Sequence, residues 1–222
     1  MKKNILKHSP VQGNNLNITP SRQNFPNWYK DAKISNSPTE SEMSFKRCGP
    51  FTDSFSVGYT MPLAKDVVIK KNNGVTKISA LVAPHGNGVI RETDLSVNPT
   101  LPVPSGFSTQ GYAWVTKNVF EIPDGYSALL THPLNRYDLP FLTLTAIVDG
   151  GMVLHNGSVP MFLRENFEGT IKAGTPIIQI VLFKTEDWQS EVDLSLMNAK
   201  EERNKKDKSF YKKEIRKLKR YN

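Results

Sequence analysis

Residues 119–184, VFEIPDGYSALLTHPLNRYDLPFLTLTAIVDGGMVLHNGSVPMFLRENFEGTIKAGTPIIQIVLFK, hold nearly all of the strong strand patterns in this 222-residue chain. Short apolar runs at 126–130, 141–148, 159–163 and 175–183 are separated by Asp124-Gly125, Asp149-Gly150-Gly151, Asn156-Gly157 and Ala173-Gly174. Such separators tolerate positive φ and so end strands. The runs are too short, and too rich in β-branched and aromatic side chains, for helices of ordinary length. The expected fold is therefore mainly β, an antiparallel sandwich or barrel.

Working outward towards the N-terminus, 111–115 and 118–122 read as further strands, as do 54–59, 67–70 and 75–81. Asn72-Asn73-Gly74 supplies the positive-φ residues of a tight hairpin between the last two. Residues 84–108 form a long irregular passage with His85-Gly86-Asn87-Gly88 and three prolines, Pro99, Pro102 and Pro104. A loop of that length in a compact domain is expected to be a binding surface or a partner-contacting excursion. It lacks the strand-to-helix setting of a phosphate loop. Before the strands come a polar arm over 1–24 and an aromatic anchor, Phe25-Pro26-Asn27-Trp28-Tyr29, with a helical turn expected in 28–33 and a linker over 34–43. The expected organisation is an arm and linker over 1–44, a β domain over 45–190 with the long loop 84–108, and a basic helix over 191–222.

That last segment holds most of the charge. The chain is +8, and residues 200–222 carry 8 Lys and 3 Arg against 3 Glu and 1 Asp, so all but one of the net positive charges lie there. Tyr211, Ile215 and Leu218 recur at helical spacing, which predicts an amphipathic helix over 197–222, and Ser190 or Asp193 is placed to cap its start. Lys205, Lys206, Lys208, Lys212, Lys213, Arg216, Lys217, Lys219 and Arg220 are its candidate contacts to a partner or, non-specifically, to nucleic acid. Aromatics there are limited to Phe210, Tyr211 and Tyr221, so base-specific reading is not expected. No apolar run reaches the ~20 residues of a bilayer span and no signal core follows Met1, so a soluble, unsecreted chain is expected. The single Cys48 excludes an intramolecular disulfide and is read as a buried thiol.

One polar cluster interrupts the apolar centre: Thr131-His132-Pro133-Leu134-Asn135-Arg136-Tyr137-Asp138. His132, Asn135, Arg136 and Asp138, with Asp149 further on, are the ligand-binding candidates. Together they offer donors, acceptors, an imidazole and a guanidinium fork for a phosphate, carboxylate or sugar. The competing reading is a wide turn in which Arg136 pairs with Asp138 or Asp149 and the Asn and Asp side chains bond local backbone. For metal, His132, His155, Asp138 and Asp149 are the candidates, but no His-x-His or His-x-Asp pair is present, so neither metal nor cofactor is expected. No serine elbow and no nucleophile with a neighbouring base is evident, so no catalytic residue is assigned.

Trp28-Tyr29-Lys30, the run Lys46-Arg47-Cys48-Gly49-Pro50-Phe51-Thr52-Asp53, Gly125-Tyr126-Ser127, His132-Pro133-Leu134-Asn135-Arg136, Val148-Asp149 and Gly174-Thr175-Pro176-Ile177 resemble an uncharacterised protein family of tailed bacteriophages. The order Asp124-Gly125-Tyr126, Arg136, Val148-Asp149 and Gly174-Thr175-Pro176-Ile177-Ile178-Gln179 is also similar to the trimeric deoxyuridine triphosphatase and deoxycytidine deaminase fold. That likeness implies a dUTPase-like or jelly-roll-like β fold, a phosphate role for Arg136 and a catalytic one for Asp149. The chain departs from it where Asn135-Arg136-Tyr137 replaces an Arg-Ser-Gly, where Gly150-Gly151-Met152 replaces an acid and a tyrosine, and where a Lys-rich helix replaces a glycine-rich arm. Asp149 alone does not supply the donors and metal ligands that phosphate hydrolysis needs. The phage family brings no established activity, but polar arms and a long Pro-rich loop on a nearly neutral β body suit subunit lacing, so the expected function is a non-catalytic phage structural or assembly protein, in the virion or host cytoplasm. Its expected partners are other phage structural proteins or itself, as a homo-oligomer such as a trimer. A nucleotide-binding or nucleotide-hydrolysing protein is the alternative.

Overall fold

The structure is a computed structural model, and it describes residues 5–33, 45–73, 75–81, 88–93, 101–151 and 157–206. The expected linker 34–43, Gly74 of the expected hairpin, residues 84–87 and 94–100 of the long loop, His155 and residues 207–222 lie outside the described residues.

Fourteen strands carry the described fold. The largest sheet contains β2 (Thr19–Pro20), β3 (Tyr59–Pro62), β9 (Tyr126–Thr131), β11 (Ala146–Asp149) and β14 (Pro176–Lys184), in the order β11-β9-β14-β3-β2. A second has the order β10-β12-β7-β6, built from β6 (Ile90–Thr93), β7 (Gly111–Val115), β10 (Phe141–Thr143) and β12 (Ser158–Leu163). The strands β4 (Val67–Asn72), β5 (Val75–Ile78) and β13 (Gly169–Ile171) form a third in the order β13-β4-β5, and β1 (His8–Pro10) pairs with β8 (Asn118–Phe120). Every strand pairing is antiparallel. The mainly antiparallel β architecture read from the sequence is the one found.

β14 is buried on both faces through its middle, with Ile177, Ile178, Gln179 and Ile180 all buried, as befits a strand with neighbours on either side, while its last two residues emerge into solvent. Apolar side chains from all the sheets meet in one core, including Met61, Ile69, Trp114, Phe120, Phe141, Met161 and Ile178. Trp114 stands edge-on to Phe141, ring centroids 4.8 Å apart, a geometry that suits the ring quadrupoles. The N-terminal arm joins this core through Leu6 and Ile18.

Four expectations change. The passage 84–108, expected to be irregular, contains β6, which pairs with β7. The strand at 54–59 is instead the end of helix α2 (Gly49–Ser56), because Pro50 fits a first helical turn and Phe51 and Phe55, four apart, share one face. Those rings pack with Phe25, Trp28 and Tyr29, the latter two on helix α1 (Asn27–Asp31), and with Phe45. Cys48 is exposed, since it precedes α2 while Phe51 and Phe55 occupy the packed side. The apolar run 141–148 is two strands in different sheets, β10 and β11, because the chain crosses between sheets at Leu144-Thr145. The C-terminal helix is present as α3 (Ser195–Lys206), and Asp193 accepts from the Ser195 N–H at its start. Among the described residues no helix is long and apolar enough to cross a membrane.

Gly58 joins α2 to β3 with φ +72°, and a β-carbon there would collide with the Ile180 carbonyl. Gly58→Ala is expected to destabilise the protein by more than about 1 kcal/mol, since strained backbone adds to the steric clash. A lowered midpoint in thermal denaturation checks this, and an unchanged midpoint contradicts the account of this junction.

Candidate functional site

The turn between β9 and β10 carries the polar cluster, and its side chains bond inward to specific partners. Asn135 takes the left-handed conformation, φ +58°, which asparagine tolerates better than most residues. Its amide Nδ2 donates to Ser54 Oγ at 2.7 Å, tying the turn to α2. Arg136 donates through Nε and a terminal nitrogen to both carboxylate oxygens of Asp138, each at 2.9 Å. Asp138 also accepts from the Trp28 indole N–H at 3.1 Å, which brings α1 onto the same turn. Burial works against the Asp138 carboxylate, but the Arg136 fork and the Trp28 N–H outweigh it and hold its carboxyl below the usual value. Arg136 thereby uses its fork within the turn, as the competing reading of the sequence has it.

His132 is buried. Its Nδ1 accepts the Thr143 N–H at 3.3 Å, so the ring's proton sits on Nε2, which donates to the Arg136 carbonyl at 3.0 Å. Both nitrogens are used, and the ring lies edge-on to Phe141. Burial lowers its pKa, and the Arg136 charge acts in the same direction against the Arg136 carbonyl and Asp138. A protonated ring would also turn an N–H against the Thr143 N–H.

Two buried residues that sequence reading left without a role complete the arrangement. Gln179, in the middle of β14, accepts the Leu134 N–H at 2.9 Å and donates to the carbonyls of Ser54 (3.0 Å) and Val57 (2.7 Å). Thr143 accepts from Trp114 Nε1 at 3.0 Å and donates to the Ile177 carbonyl at 2.7 Å. The available signal was Gln179 itself, an amide inside the apolar run 177–182, because a buried amide must find partners.

Asp149 is elsewhere. It pairs with Ser127 at the other end of β9. That end is five residues, or roughly 17 Å of strand, from His132. Its carboxylate accepts from Ser127 Oγ at 2.9 Å, and that hydroxyl meets Thr185 Oγ1 at 2.8 Å. His132, Asn135, Arg136 and Asp138 are thus brought together, and Asp149 is not among them. Beside the turn lies an open cavity of about 370 Å³, lined by residues including Thr131, Asn135, Tyr137, Leu142 and Thr145. Among the described residues, no group of three or more His, Cys, Asp or Glu is placed to hold a metal ion. The side chains of Lys205 and Lys206 lie outside the described residues, as do Lys208, Lys212, Lys213, Arg216, Lys217, Lys219 and Arg220.

No protein-family profile matches the chain, and no curated protein matches it. Among solved structures, an aspartate-to-asparagine mutant of the dUTPase from phage phi11 of S. aureus, described as coordinating a structural Mg(II) ion, is similar at 13% identity and a TM-score of 0.37. The match covers 86% of this chain and 97% of that one. Likeness at that level carries no residue role, ligand or activity to this chain.

Because His132 is held neutral when folded, its pKa is depressed relative to the unfolded value near 6.5. The unfolded chain then binds the extra proton, and the contribution of His132 to stability is present above that value and lost as pH falls below it. Denaturation midpoints are expected to drop between pH 7 and pH 5, and His132→Gln to flatten that drop. An equal drop in the variant would contradict the depression of the His132 pKa on folding.

Proposed function

We propose that this is a non-catalytic phage structural or assembly protein whose β body supplies shape and whose C-terminal extension supplies attachment to partner subunits. The observation that carries the reading is what the polar cluster does. Arg136, Asp138, His132 and Asn135 are engaged with one another, with α1 and α2, and with the backbone, and Asp149 stands at the opposite end of β9. Groups that hold a fold together in this way are not presented at a common centre for a reacting molecule. Attachment has support of its own after β14. Trp188 is 86% exposed, Val192 85% and Leu194 82%, all within seven residues. Apolar groups clustered in one exposed segment favour a binding partner.

The self-association or assembly reading is tested by the mass of the full chain in solution and by proteomics of purified particles. An oligomer, or presence in particles, is expected. A monomer that is also absent from particles overturns it.

A second reading, nucleotide binding, draws on the 370 Å³ cavity beside Asn135 and Thr145. Thermal shift with deoxynucleotides and Mg²⁺ separates the two. A bound ligand at 100 times its dissociation constant raises stability by about 2.7 kcal/mol, whereas the attachment reading expects no shift.

A further inference from the structure

β5 is the edge strand of the sheet β13-β4-β5. Its outer backbone groups have no second strand beside them among the described residues, and an open edge is a template for another extended chain. The outward face of this sheet is basic. Lys70 of β4 stands directly opposite Lys77 of β5, and like charges in that position repel. Neither ammonium has an acidic partner among the described residues. Glu168, the nearby acid, accepts the Lys71 N–H with its carboxylate. The two lysines flank Val68 on an open concavity of about 670 Å³.

The segment after β14 has the complementary pattern. Asp187-Trp188-Gln189-Ser190-Glu191-Val192-Asp193-Leu194 places Trp188, Val192 and Leu194 on one side of an extended chain and Asp187, Glu191 and Asp193 on the other. That alternation is the pattern of a half-buried strand. Yet among the described residues the segment has no strand partner, every residue in it is exposed, and no basic residue occurs between Lys184 and Lys200. It also leaves from the Lys184 end of β14, whereas β4 begins beside the other end, where Leu63 bonds Thr175 and Asp66 bonds Lys172.

We propose that residues 187–194 of one copy add as a strand to the β5 edge of a second copy. The inference rests on the attachment reading above and names its partner. Backbone pairing closes the open edge. The acidic side of the added strand lies beside Lys77 and Lys70 and relieves their repulsion, while Trp188 and Val192 continue the buried side that Ile69 and Ile78 define. Two other free edges have the same length: β11 ends in Asp149 and would repel an acidic strand, and β6 is already bridged at Ile90 by Leu81 and presents Glu92 beside Arg91.

The experiment is sedimentation of the full chain at low and high salt, with two charge-reversed variants whose folding is checked by circular dichroism. Lys70→Glu/Lys77→Glu inverts the edge face, and Asp187→Lys/Glu191→Lys inverts the segment while leaving the Asp193 contact to Ser195 intact. The wild type is expected above the mass of one chain and to dissociate in salt, since exposed charge pairs are screened within about 8 Å at physiological ionic strength. Each variant alone should fall to the mass of one chain, and an equimolar mixture should rise above it again, because each variant's segment meets the other's edge with opposite charge. If both variants keep the wild-type mass, or the mixture stays at one chain, this edge is not the interface, although self-association stands. A wild type that is monomeric throughout overturns the inference. The wider attachment reading then depends on the particle proteomics alone.

Discussion

Burying the meeting of two sheets and two short helices leaves backbone carbonyls and N–H groups with no water to bond, and each unsatisfied group costs about 1–3 kcal/mol. Thr143 and Gln179 meet that demand. The Thr143 hydroxyl stands between the two larger sheets, accepting from Trp114 on β7 and donating to the carbonyl of Ile177 on β14. Gln179 satisfies the Leu134 N–H from the turn and two carbonyls around the end of α2. With these two side chains in place, β14, α2 and the turn after β9 have fixed relative positions. Apolar contact alone would allow them to slide.

The turn inherits its rigidity from that constraint. Once Leu134 is held by Gln179, Asn135 reaches Ser54, His132 is clamped between the Thr143 N–H and the Arg136 carbonyl, and Asp138 meets both Arg136 and Trp28. Residue types that resemble a ligand site in the sequence serve here as struts between α1, α2 and the sheets. The aromatic cluster around Tyr29 and Phe55 fills the space those struts frame. Tyr29 adds a 2.6 Å contact to the Thr52 hydroxyl, so its ring and its polar end are both engaged.

Strands were legible where a short apolar run is set off by a glycine in the positive-φ region, as β9 is by Gly125 and β14 by Gly174. Two readings failed for different physical reasons. The run 141–148 looks continuous because apolar content does not reveal that the chain changes sheet between Thr143 and Ala146. Residues 54–59 read as a strand because periodicity over six residues does not separate a helix end from a strand start, and the Pro50 and Phe51–Phe55 signals lie upstream. The turn at His132 was legible as polar and as one of two kinds. Deciding between them required Ser54, Trp28 and Gln179, which lie 81, 110 and 45 residues away from their partners in sequence.

The same constraint bears on where the proposed attachment would occur. A body whose central polar cluster is consumed internally, and whose net charge is close to zero outside the last 23 residues, has little long-range field with which to draw a partner. In the proposed association, recognition falls to open sheet edges, which expose backbone groups of fixed spacing, and to segments that carry unpaired charge. Edges alone are indiscriminate, because any extended chain offers the same backbone pattern. Unpaired like charges such as Lys70 and Lys77 make an edge selective, since a neutral or basic strand leaves their repulsion in place and an acidic one removes it. A neutral body with charged, alternating ends therefore favours ordered association over aggregation.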